Sequence, residues 1–259
     1  MNRASEGRRG PLAVVKVGST SISVLAASTL TEPLYEDAQI RHLIRHREGP
    51  AALRESLRAI HRELQSLSPR AGLVAFGEVG RRQPELSSEA KRAGYPVWVL
   101  SGAEEGAASW WSEQPWRTAP ITVVDVGGGS TEFAGAWGSV SVPVGAERPP
   151  GPRDVLEAVV GGAGEPVAMG GTARALATLF GNPLTHDVLA AHAAHPPSSW
   201  TGIDRVEADR RPLLAGGLAT MLWAMDRLGV KEVAATPRDL RWGLWMAASL
   251  GRAGRWPLG

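Results

Sequence analysis

Two stretches of the sequence, widely separated along the chain, share one pattern: a short β-branched strand, a turn of small and hydroxyl residues, and a returning strand. The first covers residues 12–26 around Gly18-Ser19-Thr20-Ser21, and the second covers residues 121–136 around Gly127-Gly128-Gly129-Ser130. A repeated strand–turn–strand element predicts two structural units that are built alike. Strands alternate with helical patterns along the rest of the chain, and this alternation favours an α/β protein.

The turn-rich segment from Gln114 to Pro120 lies between the two stretches and marks a boundary between the predicted units. We therefore predict two domains, over residues 11–117 and 118–259, with the last helix free to pack back on the first domain. The length of 259 residues and the 43% share of hydrophobic residues suit two domains with buried cores.

Charge and composition exclude several classes of function. The 28 basic and 26 acidic side chains nearly cancel, so we expect no nucleic-acid partner. The absence of cysteine excludes thiolate nucleophiles and cysteine-ligated metal sites. No apolar run is long enough to span a bilayer, and the N-terminus has no apolar signal segment, so we expect a cytoplasmic protein without a membrane partner. A homodimer is left open.

Three glycine-rich turns are candidates for binding phosphate. Glycines expose backbone N–H groups without a Cβ in the way, and Ser and Thr hydroxyls add further donors. The third turn also opens a predicted helix, whose N-terminus attracts anions. The alternative is that these are ordinary turns without a ligand. The candidate phosphate-binding residues are Gly18, Ser19, Thr20, Gly127, Gly128, Gly129, Ser130, Gly171 and Thr172.

Carboxylates surround the second turn. Asp125 ends the strand before it, and Glu132 lies on the returning strand. Two carboxylates that flank a phosphate-binding turn are suited to hold Mg²⁺, although Glu132 alone could also be a solvated strand residue. Glu104 and Glu105 stand at a strand-to-helix junction, where the helix dipole favours acidic residues, or where one of them serves as a general base.

Several motifs together resemble the exopolyphosphatase/guanosine pentaphosphate phosphatase (Ppx/GppA) family of the actin, sugar-kinase and heat-shock-chaperone superfamily. The most specific is Val124–Glu132, with the sequence VDVGGGSTE. The others are Leu100–Glu105 (LSGAEE), Gly170–Ala173 (GGTA) and the closing segment from Leu228 to Leu244. The likeness extends in order over nearly the whole chain, from about residue 12 to residue 250.

This resemblance implies two ribonuclease-H-like domains with mixed sheets and an interdomain cleft. It also implies hydrolysis of the terminal phosphoanhydride bond of inorganic polyphosphate or guanosine pentaphosphate. In that activity Glu105 is the general base, and Asp125 and Glu132 position Mg²⁺. The expected partner is therefore a polyanionic phosphate substrate.

The first motif departs from the family pattern, because Lys16 stands where the family usually has Asp. A protonated lysine cannot bind Mg²⁺, but it can contact phosphate directly. This substitution motivates an alternative, a catalytically impaired member that binds or senses polyphosphate or a nucleotide. A small-molecule kinase of the same superfamily is a third possibility, without a recognisable adenosine-binding motif to support it.

Two basic segments are left without an assignment. Arg41–Arg47 and the pair Arg210-Arg211 could each line an anion-binding site or form an ordinary solvated face.

Overall fold

The structure is a computed structural model that describes residues 10–40, 49–69, 71–151 and 164–257. The basic segment Arg41–Arg47 lies outside these ranges. In the described part of the chain, no helix is both long and apolar enough to cross a membrane. The strands are β1 (Leu12–Val17), β2 (Ser21–Ala27), β3 (Pro33–Ile40), β4 (Ala71–Phe76), β5 (Val97–Val99), β6 (Ile121–Val126), β7 (Thr131–Gly135), β8 (Gly138–Val142), β9 (Glu165–Met169), β10 (Leu184–Thr185), β11 (Glu232–Ala235) and β12 (Gly254–Arg255). The helices are α1 (Gly49–Leu64), α2 (Glu78–Arg82), α3 (Pro84–Arg92), α4 (Gly102–Glu113), α5 (Gly170–Phe180), α6 (His186–Ala193), α7 (Leu214–Leu228) and α8 (Leu240–Ala247).

The chain divides into two compact units. The first unit combines residues 1–100 with residues 244–259, and the second consists of residues 101–243. The domain boundaries predicted from the sequence, at 11–117 and 118–259, remain predictions.

The first unit is built on a mixed sheet with the strand order β12-β4-β1-β2-β3, and β5 pairs with β4. Strands β1, β2 and β3 are antiparallel neighbours, whereas β4 runs parallel to β1 and β5 parallel to β4. The apolar stripe of α1 is buried in its core. Trp256, which is 1% exposed, follows β12 and packs its ring on Gly72, where a side chain would collide with it.

The second unit repeats this scheme, with the strand order β10-β11-β9-β6-β7-β8. Strands β6, β7 and β8 are antiparallel neighbours, while β9 runs parallel to β6 and β11 parallel to β9. In each sheet, therefore, three consecutive strands are antiparallel neighbours, and two further strands run parallel to the first of them. The prediction of an α/β protein with two mixed, ribonuclease-H-like sheets is confirmed.

One sequence-based expectation is wrong. The apolar pattern from Asp204 to Leu228 predicts a single long helix, but 3₁₀ turns occupy residues 203–205 and 208–213, and α7 begins only at Leu214. Pro212 has no backbone N–H to donate, and its ring obstructs a regular α-helix through this position.

Candidate active site in the second unit

The hairpin β6–β7 places two carboxylates side by side. Its register pairs Asp125 with Glu132. The next pair, Val126 and Thr131, is the last before the turn. Residues directly opposite each other on antiparallel strands project from the same face of the sheet, with their β-carbons about 5 Å apart. The carboxylates of Asp125 and Glu132 are therefore neighbours, although seven positions separate them along the chain.

The turn between these strands is held by its backbone carbonyl groups. The N–H of Gly127 donates to the carbonyl of Ser130 at 2.9 Å, and the carbonyls of Gly127 and Gly128 accept from the N–H groups of residues 146–147 at 2.9 and 2.8 Å. Within the described ranges, no backbone carbonyl accepts from the N–H groups of Gly128 and Gly129. These N–H groups are therefore available to an anion.

Glu132 is a buried acid with a strongly raised pKa. It is 4% exposed, and its carboxylate accepts hydrogen bonds from the hydroxyls of Ser141, at 2.7 Å, and Ser130. Burial, together with the nearby carboxylates of Glu105 and Asp125, raises the pKa of Glu132 to about 8. This repulsion shows that three acidic side chains, two of them predicted metal ligands and one a predicted base, meet in one place.

The structure gives Glu104 and Glu105 different environments. The residue pattern alone allowed either as the base, and the family resemblance assigned that role to Glu105. Glu104 accepts a hydrogen bond from the backbone N–H of Ser101 at 2.8 Å, and its own N–H donates to the Ser101 hydroxyl at 3.2 Å. This reciprocal pair is a capping box, which stabilises the start of α4. Glu105 is instead buried, at 5% exposure, beside the carboxylate pair.

Glycines in α4 allow the helix to lie very close to the sheet. A β-carbon added at Gly102 would lie 2.7 Å from the Ser141 hydroxyl oxygen, and one added at Gly106 would lie 2.8 Å from the β-carbon of Ser139. Both serines belong to β8. This close approach brings Glu105, which lies between the two glycines, to the carboxylates of the hairpin.

Asp125 connects the hairpin with the third glycine-rich turn. Its Oδ2 accepts a hydrogen bond from the Ser109 hydroxyl at 2.9 Å. Its Oδ1 lies against Gly170, where an added β-carbon would come within 2.5 Å of it. Gly170 has a φ of +83°, a conformation that other residues rarely adopt. It follows Met169, which pairs with Asp125 in the parallel β6–β9 register.

The third turn also opens α5. Its N-cap residue, Met169, makes no side-chain hydrogen bond to the helix, in contrast to Ser101 at the start of α4. Thr172, in the first turn of α5, is 8% exposed. The guanidinium group of Arg210 lies directly against Gly171. The sequence could not assign Arg210, because this contact depends on how a distant 3₁₀ segment folds back.

Solved structures of other proteins share this architecture. A Ppx/GppA family member from Aquifex aeolicus is 18% identical, covers 93% of this chain and 98% of its own, and superposes with a TM-score of 0.71. An exopolyphosphatase from Cytophaga hutchinsonii is 13% identical, with coverages of 92% and 98% and a TM-score of 0.73. An exopolyphosphatase-like protein is 17% identical, with coverages of 91% and 98% and a TM-score of 0.73.

The chain has the Ppx/GppA fold. No protein-family model and no curated protein matches the sequence. The resemblance inferred from the motifs is thus confirmed by structural neighbours, at identities that establish the fold alone.

The first glycine-rich turn of the sequence, at residues 18–21, lies in the other unit. The N–H of Gly18 donates to the carbonyl of Ser21 at 2.9 Å, and the side chains of Ser19 and Thr20 are buried. The Nζ of Lys16 lies over the turn, since a β-carbon added at Gly18 would be 2.7 Å from it. That Gly18, Ser19 and Thr20 bind the same phosphate as the second unit remains a prediction.

The predicted Mg²⁺ can be compared with the donors that the fold supplies. Among the described residues, no group of three or more His, Asp or Glu side chains is arranged to hold a metal ion. Mg²⁺ commonly binds one or two carboxylates and completes its shell with water and substrate phosphate. The paired carboxylates of Asp125 and Glu132, with the raised pKa of Glu132, fit such a shared site.

Proposed function

We propose that this protein hydrolyses the terminal phosphoanhydride bond of a polyanionic substrate, either inorganic polyphosphate or guanosine pentaphosphate. The observation that carries the proposal is the buried Glu105 beside Asp125 and Glu132, next to two glycine-rich turns. The Ppx/GppA fold supports it, since solved neighbours are described as a Ppx/GppA phosphatase and an exopolyphosphatase.

In the proposed reaction a water molecule attacks the terminal phosphorus, and the bond from that phosphorus to the bridging oxygen breaks. Glu105 orients the water and accepts its proton. The N–H groups of Gly128 and Gly129 donate to phosphate oxygens, whose charge must be stabilised in the transition state. The fixed backbone of this turn keeps these donors in place before the substrate arrives.

Asp125 and Glu132 would hold Mg²⁺ in this proposal. The ion, when bound, supplies positive charge to the phosphate oxygens. Ser109 and Ser141 orient the two carboxylates through hydrogen bonds of 2.9 and 2.7 Å.

Phosphate release from polyphosphate and from guanosine pentaphosphate, with and without Mg²⁺, tests the proposal. Glu105→Gln keeps the shape of the side chain and removes the base, so the rate should fall by about 10²- to 10⁴-fold. Glu104→Gln is the matched control: glutamine can also close the capping box with Ser101, so the substitution should leave the fold and the rate nearly unchanged. Equal rates for Glu105→Gln and the wild type would remove Glu105 from the mechanism.

Lys16 favours a second candidate function, a protein that binds polyphosphate or a nucleotide without turnover. Its ammonium lies over the first turn, at the position where the family motif usually has Asp. Calorimetric binding of tripolyphosphate without phosphate release would favour this alternative. Gain of Mg²⁺-dependent phosphate release in Lys16→Asp would support it further, whereas measurable turnover by the wild type would reject it.

A further inference from the structure

Helices α1 and α3 of the first unit form the sides of an open groove of about 850 Å³. A hydrogen bond of 2.9 Å from Arg54 to Glu89 joins the two helices. The volume lies in the range of small-molecule sites, about 300–1,000 Å³. All the residues that line it belong to the first unit, so it is a different site from the carboxylate cluster of the second unit. The lining of this α1–α3 groove includes Arg54, Arg58, Arg62, Arg92, Tyr95 and Pro257.

The α1–α3 groove is basic, since its lining contains four arginines and two glutamates. Glu89 is already shared by Arg54, at 2.9 Å, and Arg92, at 2.7 Å. Arg58 and Arg62 are exposed, and in the described part of the chain neither lies within 4 Å of a carboxylate. They are spaced i, i+4 on α1, where like charges repel each other. An anion bound between them would relieve this repulsion.

Two buried polar atoms lie beside the groove without a protein partner. His61 Nδ1 and Trp256 Nε1 make no hydrogen bond to the residues that the structure describes. Both side chains line a smaller cavity of about 260 Å³, which shares His61 and Pro257 with the groove. Buried polar groups are rarely left unpaired, because no hydrogen bond then offsets their loss of solvation. A ligand with hydrogen-bonding atoms would satisfy both.

The indole of Trp256 is oriented by the sheet. Its Cε3 and Cζ3 atoms are the ones that a β-carbon added at Gly72 would meet. Nε1 lies on the opposite long edge of the indole and therefore points away from Gly72. The side chain is 1% exposed, and Nε1 can only donate. Trp256 thus holds a desolvated donor in a fixed direction, and this donor requires an acceptor atom.

Flat apolar surface accompanies these polar atoms. Tyr95 lines the groove and packs edge-to-face on Trp256, with the ring centroids 5.0 Å apart. Pro257 adjoins both cavities. Such surfaces suit a planar ring. The complementary ligand therefore combines a ring that carries heteroatoms with an anionic group.

We propose that the α1–α3 groove binds a small aromatic phosphate of the mononucleotide class. Arg58 and Arg62 hold the phosphate, because guanidinium groups bind phosphate oxygens in bidentate fashion. The ring heteroatoms bond to His61 and Trp256. Arg58, His61 and Arg62 are spaced i, i+3, i+4 and so share one face of α1. This site does not depend on the hydrolysis proposed for the second unit.

Calorimetry of the full chain with AMP and GMP, in the absence of Mg²⁺, tests the site. Without the cation, the carboxylates of the second unit repel phosphate, so binding there is suppressed. At least one of the two nucleotides should bind. Inorganic phosphate and the free nucleosides each lack one half of the ligand and should bind at least about 10-fold more weakly.

Two groove variants divide the contacts. Arg58→Gln together with Arg62→Gln should weaken nucleotide binding by about 10-fold or more, because two charge-assisted contacts are lost. His61→Leu should weaken it by about 3- to 10-fold while leaving the melting temperature unchanged or higher, since an unpaired polar atom is replaced by an apolar group. Lower affinity without lower stability separates a ligand contact from a purely structural role.

Arg82→Gln together with Arg252→Gln is the matched control. It removes the same charge from two exposed arginines of the first unit that do not line the groove. The dissociation constant should change by less than about twofold, as expected of remote exposed charges.

Failure of both nucleotides to bind would overturn the proposal. An unchanged affinity in either groove variant, or an equal loss in the control, would do the same. Binding of inorganic phosphate as tightly as the nucleotides would also reject it, because the groove would then recognise charge alone. If the double arginine variant does not fold, His61→Leu decides.

Discussion

The hairpins β1–β2 and β6–β7 share the same turn hydrogen bond but carry side chains of opposite charge beside the turn. In each, the first glycine of a four-residue turn donates its N–H to the carbonyl of the fourth residue at 2.9 Å. At the equivalent pair of positions, the first hairpin carries Lys16 opposite Ser23, and the second carries Asp125 opposite Glu132. The fold thus fixes the shape of the turn, while two side chains on the flanking strands decide whether its surroundings are cationic or anionic.

The two hairpins also differ in what these side chains touch. Lys16 lies over Gly18, which belongs to its own turn. Asp125 instead contacts Gly170, which follows β9 and is the first residue of α5. The acid is further oriented by Ser109. The second hairpin is therefore integrated into a site, and changes there should have larger consequences than changes in the first.

The largest effect is expected from giving the second hairpin the charge of the first. Asp125→Lys places an ammonium where we propose a Mg²⁺ ligand, so Mg²⁺-dependent phosphate release should fall by about 10²- to 10³-fold or more. Asp187→Lys makes the same charge change on a side chain that is 97% exposed, and should leave the rate nearly unaltered. Similar rates in the two variants would show that the charge at position 125 does not affect catalysis.

The pH dependence of stability should reveal the buried acid that only the second hairpin contains. The pKa of Glu132 is about 8 in the folded protein against an ordinary value of 4.5, so the folded state binds the extra proton between these values. Its contribution to stability is present below about pH 4.5 and is lost as the pH rises through about 8. Without Mg²⁺, the melting temperature should therefore fall from about pH 5 to pH 9.

Glu132→Gln is the variant that isolates this effect, because the amide does not titrate. Its melting temperature should depend less on pH than that of the wild type. Ser23→Ala, at the equivalent position of the first hairpin, should leave the slope unchanged. If the wild type and Glu132→Gln have the same slope, burial does not hold a proton on Glu132.

A smaller effect is expected where Asp125 contacts the third turn. Gly170→Ala forces alanine into a φ of +83° and directs its methyl group at Asp125, so we expect a loss of about 1–2 kcal/mol with reduced activity. Gly181 has a φ of +92° with nothing within 4 Å of an added β-carbon. Gly181→Ala should therefore lose stability but retain activity, and chemical denaturation with phosphate-release assays separates the two outcomes.

The smallest effect concerns the first residues of the two turns. At Gly127 an added β-carbon would lie 3.0 Å from the backbone carbonyl of Ser130, whereas at Gly18 the carbonyl of Ser21 is 3.4 Å away and the nearest atom is the mobile end of Lys16. We expect Gly127→Ala to cost about 0.5–1 kcal/mol more than Gly18→Ala. Urea denaturation measures the difference, and equal costs would mean that both turns adapt equally well.

The sequence predicted the elements whose signals are local. Both hairpins follow from their glycine-rich turns, and the start of α4 follows from Ser101 and Glu104. The edge strand β3 was missed because it lacks an apolar alternation, with Leu34 at 52% exposure. The length of α7 was overestimated, because the apolar periodicity of residues 204–228 predicts one helix although Pro212 interrupts it.

Contacts between distant segments could not be predicted. The resemblance assigned the base to Glu105, but the reason that Glu105 and not Glu104 faces the carboxylate pair is the close packing of Gly102 and Gly106 on the sheet, which no local pattern shows. Arg210 reaches Gly171 only through the folding of the intervening residues. The roles assigned to Mg²⁺ and to the first turn remain predictions, since they concern a ligand rather than the chain.

The discontinuity of the first unit has a consequence for biosynthesis. Strand β12 pairs with β4, and Trp256 covers Gly72, yet residues 101–243 are translated between these partners. On the ribosome, the second unit therefore has its whole sequence available before the first can acquire its final strand. Because β5 pairs with residues 74–76 of β4, the nascent sheet of the first unit lacks a partner at Ala71 and Gly72 until residues 254–256 emerge, and an unpaired strand edge is sensitive to aggregation during synthesis.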